Sequence, residues 1–121
     1  MTAVAAVRSV AAYVLVSLYV LVVGPPGIVI ALLTGRPWLL YWLGRQGVRL
    51  GLTTVGIRYR VAGSHHVDRE RASVYSVNHA SNLEPPVVYL VLAAAHPKLK
   101  ILYKAEIHKI PVLSTVFDTA G

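Results

Sequence analysis

The chain has 121 residues, which suits one small domain, and 55% of them are hydrophobic while 14% are charged, against about 25% charged in ordinary soluble domains. Twelve basic and five acidic side chains give a net charge of +7, which suits a partner that is either nucleic acid or an anionic lipid surface. No cysteine is present, which excludes a disulfide framework, a cysteine-based zinc site and a thiol nucleophile.

The first predicted element is membrane-inserted. Residues 9–35 carry no charged side chain, and a run of that length predicts a transmembrane segment. The Gly-Pro-Pro-Gly sequence at residues 24–27 is a strong turn signal. Two alternatives follow: two short apolar arms that form a re-entrant helical hairpin, or one kinked helix that spans the bilayer. Either way, residues 1–35 are assigned to the membrane.

The second predicted element, residues 36–54, is an interfacial helix. It combines Trp38 and Trp42 with Arg45 and Arg49, and the two arginines share a helix face because they are four residues apart. Aromatic rings beside arginines are typical of helices at the headgroup level of a membrane. Basic residues beside a long apolar run favour lipid over nucleic acid as the partner. The positive-inside rule then places the rest of the chain on the cytoplasmic face.

The remaining residues, 55–121, predict an α/β domain. Residues 55–62 alternate between apolar and basic side chains, the pattern of a half-buried strand. Residues 73–77 predict a second strand, residues 87–95 an apolar helix, and residues 99–103 a third strand. Strands alternating with helices indicate a sheet that is at least partly parallel, with flanking helices.

The four histidines outside the main motif, including His108, are expected to carry no site. His65 and His66 are adjacent in a polar loop, but no third ligand has a spacing usable for a metal. His96 is expected at the surface. We therefore predict neither a metal nor a cofactor.

Residues 78–86 read Asn-His-Ala-Ser-Asn-Leu-Glu-Pro-Pro and lie between a predicted strand and a predicted helix. His79 with Glu84 to orient it is the minimal apparatus for general-base catalysis. On a continuous helix the two would be about 140° apart, so the pair requires a turn. Ser81 and Glu84 also have the spacing of a helix capping box, a purely structural alternative. Pro85 at the first helical position would instead make Glu84 the N-cap, where glutamate is disfavoured, and this favours a functional role.

These residues resemble a known family. Asn78-His79-x-Ser81-x-x-Glu84-Pro85 is similar to the first signature of the glycerophospholipid acyltransferases, Asn-His-x-Ser-x-x-Asp, which is often followed by Pro. Residues 104–111 read Lys-Ala-Glu-Ile-His-Lys-Ile-Pro, and Ala-Gly follows at residues 120–121. They resemble the family's second block, Lys-x-Glu-Leu-x-x-Ile-Pro, and its later Ala-Gly. The resemblance covers about residues 55–121.

The sequence departs from the family pattern in three places. Glu84 replaces the usual Asp, and Ser114 replaces the usual Gly after Ile-Pro. The arginine-containing end of the second block and the Glu-Gly-Thr-Arg block, which hold the substrate phosphate in the family, have no counterpart within these residues. A truncated or degenerate member without catalysis is therefore the alternative expectation, and these residues alone are expected to be inactive or nearly so.

The resemblance implies a membrane-bound acyltransferase of phospholipid biosynthesis. It would move a fatty acyl group from acyl-CoA or acyl-carrier protein, as co-substrate, to the hydroxyl of a lysophospholipid such as lysophosphatidic acid. His79 would be the general base and Glu84 its orienting acid, while Asn78, Ser81 and Lys104 would bind or position the substrate. Some family members have an N-terminal two-helix membrane motif, so the resemblance favours the re-entrant hairpin. The predicted fold is such a hairpin followed by the first part of an α/β acyltransferase domain.

Overall fold

A computed structural model describes residues 3–68, 70–78, 81–96 and 98–100, together with the single residues 102, 105, 109 and 114. Helix α1 spans Ala3–Thr34, α2 spans Trp38–Val55 and α3 spans Glu84–Val91. Short 3-10 helices lie at Ser64–His66 and at Leu92–Ala95, the latter continuing directly from α3. The helix predicted over residues 87–95 is therefore confirmed.

Helix α1 is continuous through Pro25 and Pro26, so the re-entrant hairpin predicted around residues 24–27 is wrong. The ring of proline fixes φ near the helical value, so it removes backbone hydrogen bonds without preventing helical geometry. The chain reverses instead at Gly35, whose φ of 62° is the left-handed conformation that glycine adopts without cost. The amide of Arg36 donates to the carbonyl of Ala31 at 3.2 Å, which closes the end of α1.

Helix α2 packs antiparallel along α1, and the two form the α1–α2 hairpin. The hydroxyl of Tyr19 donates to the carbonyl of Leu43 at 2.9 Å, near the middle of both helices. At the far end, a Cβ on Gly56 would lie 3.0 Å from Nη1 of Arg8. The end of α2 and the start of α1 are therefore neighbours.

Glycines make the close approach of α1 and α2 possible. A Cβ on Gly47 would lie 3.0 Å from Cε1 of Tyr19, and one on Gly51 would lie 3.2 Å from Cγ2 of Val16. Both distances are shorter than the 3.5–4.0 Å or so at which carbon atoms attract one another best. The Gly-x-x-x-Gly spacing on α2 thus serves packing within the chain.

The predicted α/β class is wrong for the part of the chain that the structure describes, because these residues are helical and include no strand. Residues 57–63 and 72–78 have no regular secondary structure. Their alternating pattern finds no neighbouring strand, and a strand needs a partner for its backbone hydrogen bonds. Val74, within the second predicted strand, is 97% exposed. Of the third predicted strand, residues 99–103, the described residues 99, 100 and 102 have no regular secondary structure, and most of residues 104–121 lie outside the described residues.

The buried core is a narrow seam where the helices meet. The side chains less than one-tenth exposed among the described residues are Ala31, Leu40, Tyr41, Leu52, Leu90 and Leu92. By contrast, α1 exposes most of its apolar side chains, with Leu21 72% and Leu33 82% exposed. Helix α1 is long and apolar enough to cross a membrane, which is compatible with association of the protein with membranes.

Candidate functional site

The first motif lies at the entrance to α3, where a turn leads into the helix. The amide of Leu83 donates to Oγ of Ser81 at 3.2 Å, and the amide of Glu84 donates to the Ser81 carbonyl at 3.1 Å. Ser81 thus holds the turn through both its side chain and its backbone. The predicted base His79 and the predicted phosphate contact Lys104 lie outside the described residues.

The N-cap of α3 is Leu83, and Glu84 is the first residue of the helix. The expectation that Glu84 is the N-cap, with Pro85 first in the helix, is therefore wrong by one residue. Pro85 still falls in the first turn, where its missing N–H has no helical partner to lose. A carboxylate in the first turn lies at the positive end of the helix, which stabilises its charge.

The described members of the predicted site differ in exposure. Asn78 and Ser81 are exposed, and Glu84 is half-buried. The turn brings Ser81 and Glu84 together at the start of α3. Asn78 ends the exposed irregular segment that precedes the motif. A substrate can therefore reach the described part of the motif, and the carboxylate of Glu84 is carried by helix α3.

A second group of side chains, which we call the seam cluster, consists of Tyr41, Arg45, Tyr89 and His96. The ring of His96 lies 4.7 Å from the ring of Tyr41 and 4.6 Å from the ring of Tyr89, measured between centroids. The Tyr89 hydroxyl donates to the carbonyl of Tyr41 at 3.0 Å, and the Tyr41 hydroxyl donates to the carbonyl of Leu99 at 3.0 Å. These contacts fasten α3 and the segment after it to α2.

Burial perturbs the titratable groups of the seam cluster. Desolvation is the main cause that raises the pKa of Tyr89 to about 12. The neighbouring Tyr41 also raises this pKa, and the positive charge of Arg45 lowers it. Desolvation, followed by the positive charge of Arg45, lowers the pKa of His96 below its ordinary value. His96 is thus held neutral because its charged form would lose water and face a cation.

The sequence expectation that His96 lies at the surface is wrong. Tyr41 and Arg45 are four residues apart, so a shared face of α2 was readable from the sequence. Tyr89 within the apolar run of α3 was a second signal, because buried tyrosines bring a polar group that needs a partner. The meeting of these residues with His96 depends on how α3 docks, which no local pattern specifies.

The polar loop after α2 holds the adjacent histidines. The rings of His65 and His66 lie 4.0 Å apart between centroids, and both residues are exposed. They line an open depression together with Asp68 and Glu70. Within the described ranges, no three His, Cys, Asp or Glu side chains are grouped closely enough to hold a metal ion.

Comparison with known proteins adds no family. No family model, no curated protein and no solved structure matches the chain. The features of the chain that bear on function are therefore the two motif blocks, the α1–α2 hairpin and the chemistry of the described side chains.

Proposed function

We propose that the protein is a membrane-bound glycerophospholipid acyltransferase that acylates the hydroxyl of a lysophospholipid, with acyl-CoA or acyl-carrier protein as donor. The observation that carries the proposal is the pair of ordered motif blocks, at residues 78–85 and 104–111. The first block stands at a turn that leads into α3, and the same chain supplies a long apolar helix. Both features suit an enzyme whose acceptor is a membrane lipid.

In the proposed reaction, His79 removes the proton from the acceptor hydroxyl as its oxygen attacks the thioester carbonyl. The new carbon–oxygen ester bond forms, the carbon–sulfur bond breaks, and the imidazolium returns its proton to the leaving thiolate. Glu84 orients the imidazole and stabilises its charged form, as the acid does in a serine-protease triad. The positive end of α3 favours negative charge that develops nearby.

The remaining predicted residues have supporting parts in this proposal. Asn78 is exposed and is proposed to position the acceptor. Ser81 already bonds the amide of Leu83, so its proposed role is to hold the loop that presents His79. Lys104 is proposed to contact the acceptor's phosphate, as a point charge.

For the membrane, we propose that the α1–α2 hairpin lies along the cytoplasmic surface, with α1 inserted and α2 at headgroup level. Gly47 of α2 lies beside Tyr19 in the middle of α1. If α1 crossed the bilayer, Arg45 and Arg49 would therefore lie near its midplane, at about 2.5–3.5 kcal/mol each. Along the surface, both arginines lie at headgroup level and not in the hydrocarbon, and Trp42, which is 46% exposed, can occupy the interface.

The deciding experiment measures transfer of labelled acyl chains from acyl-CoA to lysophosphatidic acid by membranes that contain the protein. We expect His79→Ala to lower the rate by about 10²- to 10⁴-fold, the usual contribution of a general base. His65→Ala is the matched control, because His65 is an exposed loop residue outside the motif, and it should leave the rate unchanged. Normal turnover by intact His79→Ala protein would refute the catalytic assignment.

One observation favours a second candidate, a membrane-bound relative of the acyltransferases without catalysis. The described ranges contain no strand, although the family to which the motifs are similar is expected to have an α/β fold. In that case the protein would bind membranes and bring its motif to the surface without turnover. The same assay separates the candidates, because membrane binding without any activity above that of His79→Ala supports the second.

A further inference from the structure

Arg45 is a half-buried cation for which the described residues supply no counter-ion. It lies one helical turn after Tyr41, on the face of α2 that meets α3. Its Nε is buried and makes no hydrogen bond with the described residues, and no described carboxylate forms a salt bridge with it. Partial burial of a guanidinium is costly unless an anion or an acceptor compensates it. A group that compensates Arg45 would therefore be a hydrogen-bond acceptor that carries negative charge.

His96 places a second unmatched group in the same seam. Both of its ring nitrogens are buried and make no hydrogen bond with the described part of the chain. The groups that face it are Tyr41 and Arg45 from α2 and Tyr89 from α3. Both tyrosine hydroxyls are already engaged with backbone carbonyls. One anion between Arg45 and His96 would satisfy two buried donors at once.

We propose that Arg45 and His96 form a binding site for a phosphate monoester in the seam between α2 and α3. Phosphate suits these donors because it offers several strong acceptor oxygens, and a guanidinium can bind two of them side by side. The choice of phosphate over other anions rests on the proposed function, whose acceptor carries such a group. Two sources share this chemistry: free phosphate, and the headgroup of a lysophosphatidic acid in the membrane.

Arg49 supplies the matched control for this site. It lies one turn beyond Arg45 on the same helix, but it is exposed. It forms none of the ring contacts or hydrogen bonds of the seam cluster. Loss of Arg49 removes the same charge from α2 and leaves the seam intact. A difference between the two variants therefore reports the position of the guanidinium and not the net charge of the helix.

The experiment follows the imidazole NMR signals of His96, assigned by their loss in His96→Gln. Inorganic phosphate is titrated into the protein in detergent, and in the second arm the protein is placed in phosphatidylcholine nanodiscs with or without lysophosphatidic acid. We expect a saturable change of the His96 signals and a rise of its pKa, in wild type and in Arg49→Gln alike. Arg45→Gln should bind about 10- to 100-fold more weakly, as expected for the loss of a charged hydrogen bond.

The outcomes separate the two sources and test the site itself. Saturation by inorganic phosphate shows that the phosphate group suffices, and saturation only by lysophosphatidic acid shows that the lipid is required. No saturable change in either arm, or equal affinities for Arg45→Gln and Arg49→Gln, would overturn the proposal. If Arg45→Gln loses its helical circular dichroism, Arg45→Lys takes its place, and wild-type affinity in that variant would overturn the proposal.

Failure of this site and failure of the proposed function are distinguishable. Binding is measured without acyl transfer, so His79→Ala should respond to phosphate as wild type does. If the protein binds phosphate but never transfers an acyl group, the phosphate site is supported and the proposed acyltransferase function is refuted. If acyl transfer requires His79 but phosphate does not change the His96 signals, the proposed function is supported and the phosphate site is refuted.

Discussion

Replacement of Gly47 by alanine tests the packing of the α1–α2 hairpin most directly. The new Cβ would lie 3.0 Å from Cε1 and 3.2 Å from Cδ1 of Tyr19, so the ring must move by about 0.5–1 Å to reach a normal contact. Overpacking of this kind costs about 1–3 kcal/mol. The shift also strains the 2.9 Å hydrogen bond from Tyr19 to Leu43, worth about 0.5–1.5 kcal/mol.

The same substitution also stabilises the helix itself. Alanine is a better helix former than glycine by about 1 kcal/mol, so the net loss expected for Gly47→Ala is about 0.5–3.5 kcal/mol. A loss of 1 kcal/mol lowers the melting temperature of a small domain by about 4 °C or more. We therefore expect clearly earlier loss of the helical circular dichroism on heating in detergent.

Gly24→Ala is the matched control for this measurement. Gly24 also lies inside a helix, but outside its chain neighbours the nearest atom to its Cβ position is Cγ1 of Val20 at 3.9 Å, an ordinary contact. The control gains helix propensity against local crowding by the Cδ of Pro25, so it should lower the melting temperature less than Gly47→Ala does. Equal melting temperatures for Gly47→Ala and Gly24→Ala would contradict the packing of α2 against α1.

Three further predictions concern pH, the prolines and orientation in the membrane. Since the pKa of His96 is lowered in the folded state, the unfolded state binds more protons near the ordinary histidine pKa of about 6.5. The free energy of unfolding should fall as the pH drops through that value, by at most about 1.4 kcal/mol per pH unit. His96→Gln, but not the exposed control His65→Gln, should remove this dependence in denaturant titrations. Pro25→Ala restores a backbone donor inside α1 and should raise the melting temperature, whereas lower stability would indicate that the proline forms a turn. Cysteines introduced at Val4 and Arg36, in a chain without native cysteine, should both react with an impermeant reagent from the cytoplasmic side; labelling from opposite sides would show that α1 spans the bilayer.

Much of the α1–α2 hairpin and part of the candidate site could be predicted from the sequence, because the patterns that predict them lie within short stretches of the chain. The uncharged run before Arg36 predicted an apolar membrane segment, and α1 covers it. The basic and aromatic residues of 36–54 predicted a separate amphipathic helix, and α2 spans Trp38–Val55. The prolines after Glu84 predicted a helix start within one residue of the observed one.

The place of chain reversal was not predictable from turn signals alone. Pro25 and Pro26 give the strongest signal in the sequence, yet α1 continues through them because proline tolerates helical φ and α2 packs alongside. Gly35 gives a weaker signal, but it takes the left-handed conformation that ends α1. A turn signal states which conformations are permitted, and packing over the length of two helices selects among them.

The sequence by itself determined the apolar first helix, the basic second helix and the start of a helix beside Glu84, because each depends on side chains that are neighbours along the chain. Only the tertiary structure decided that the Tyr19 ring packs against Gly47 and that His96 lies half-buried beside Arg45. It also decided that the alternation of residues 55–62 forms no strand. The physical reason is the same in each case: burial and backbone pairing depend on partners distant in sequence, and a local pattern does not specify them.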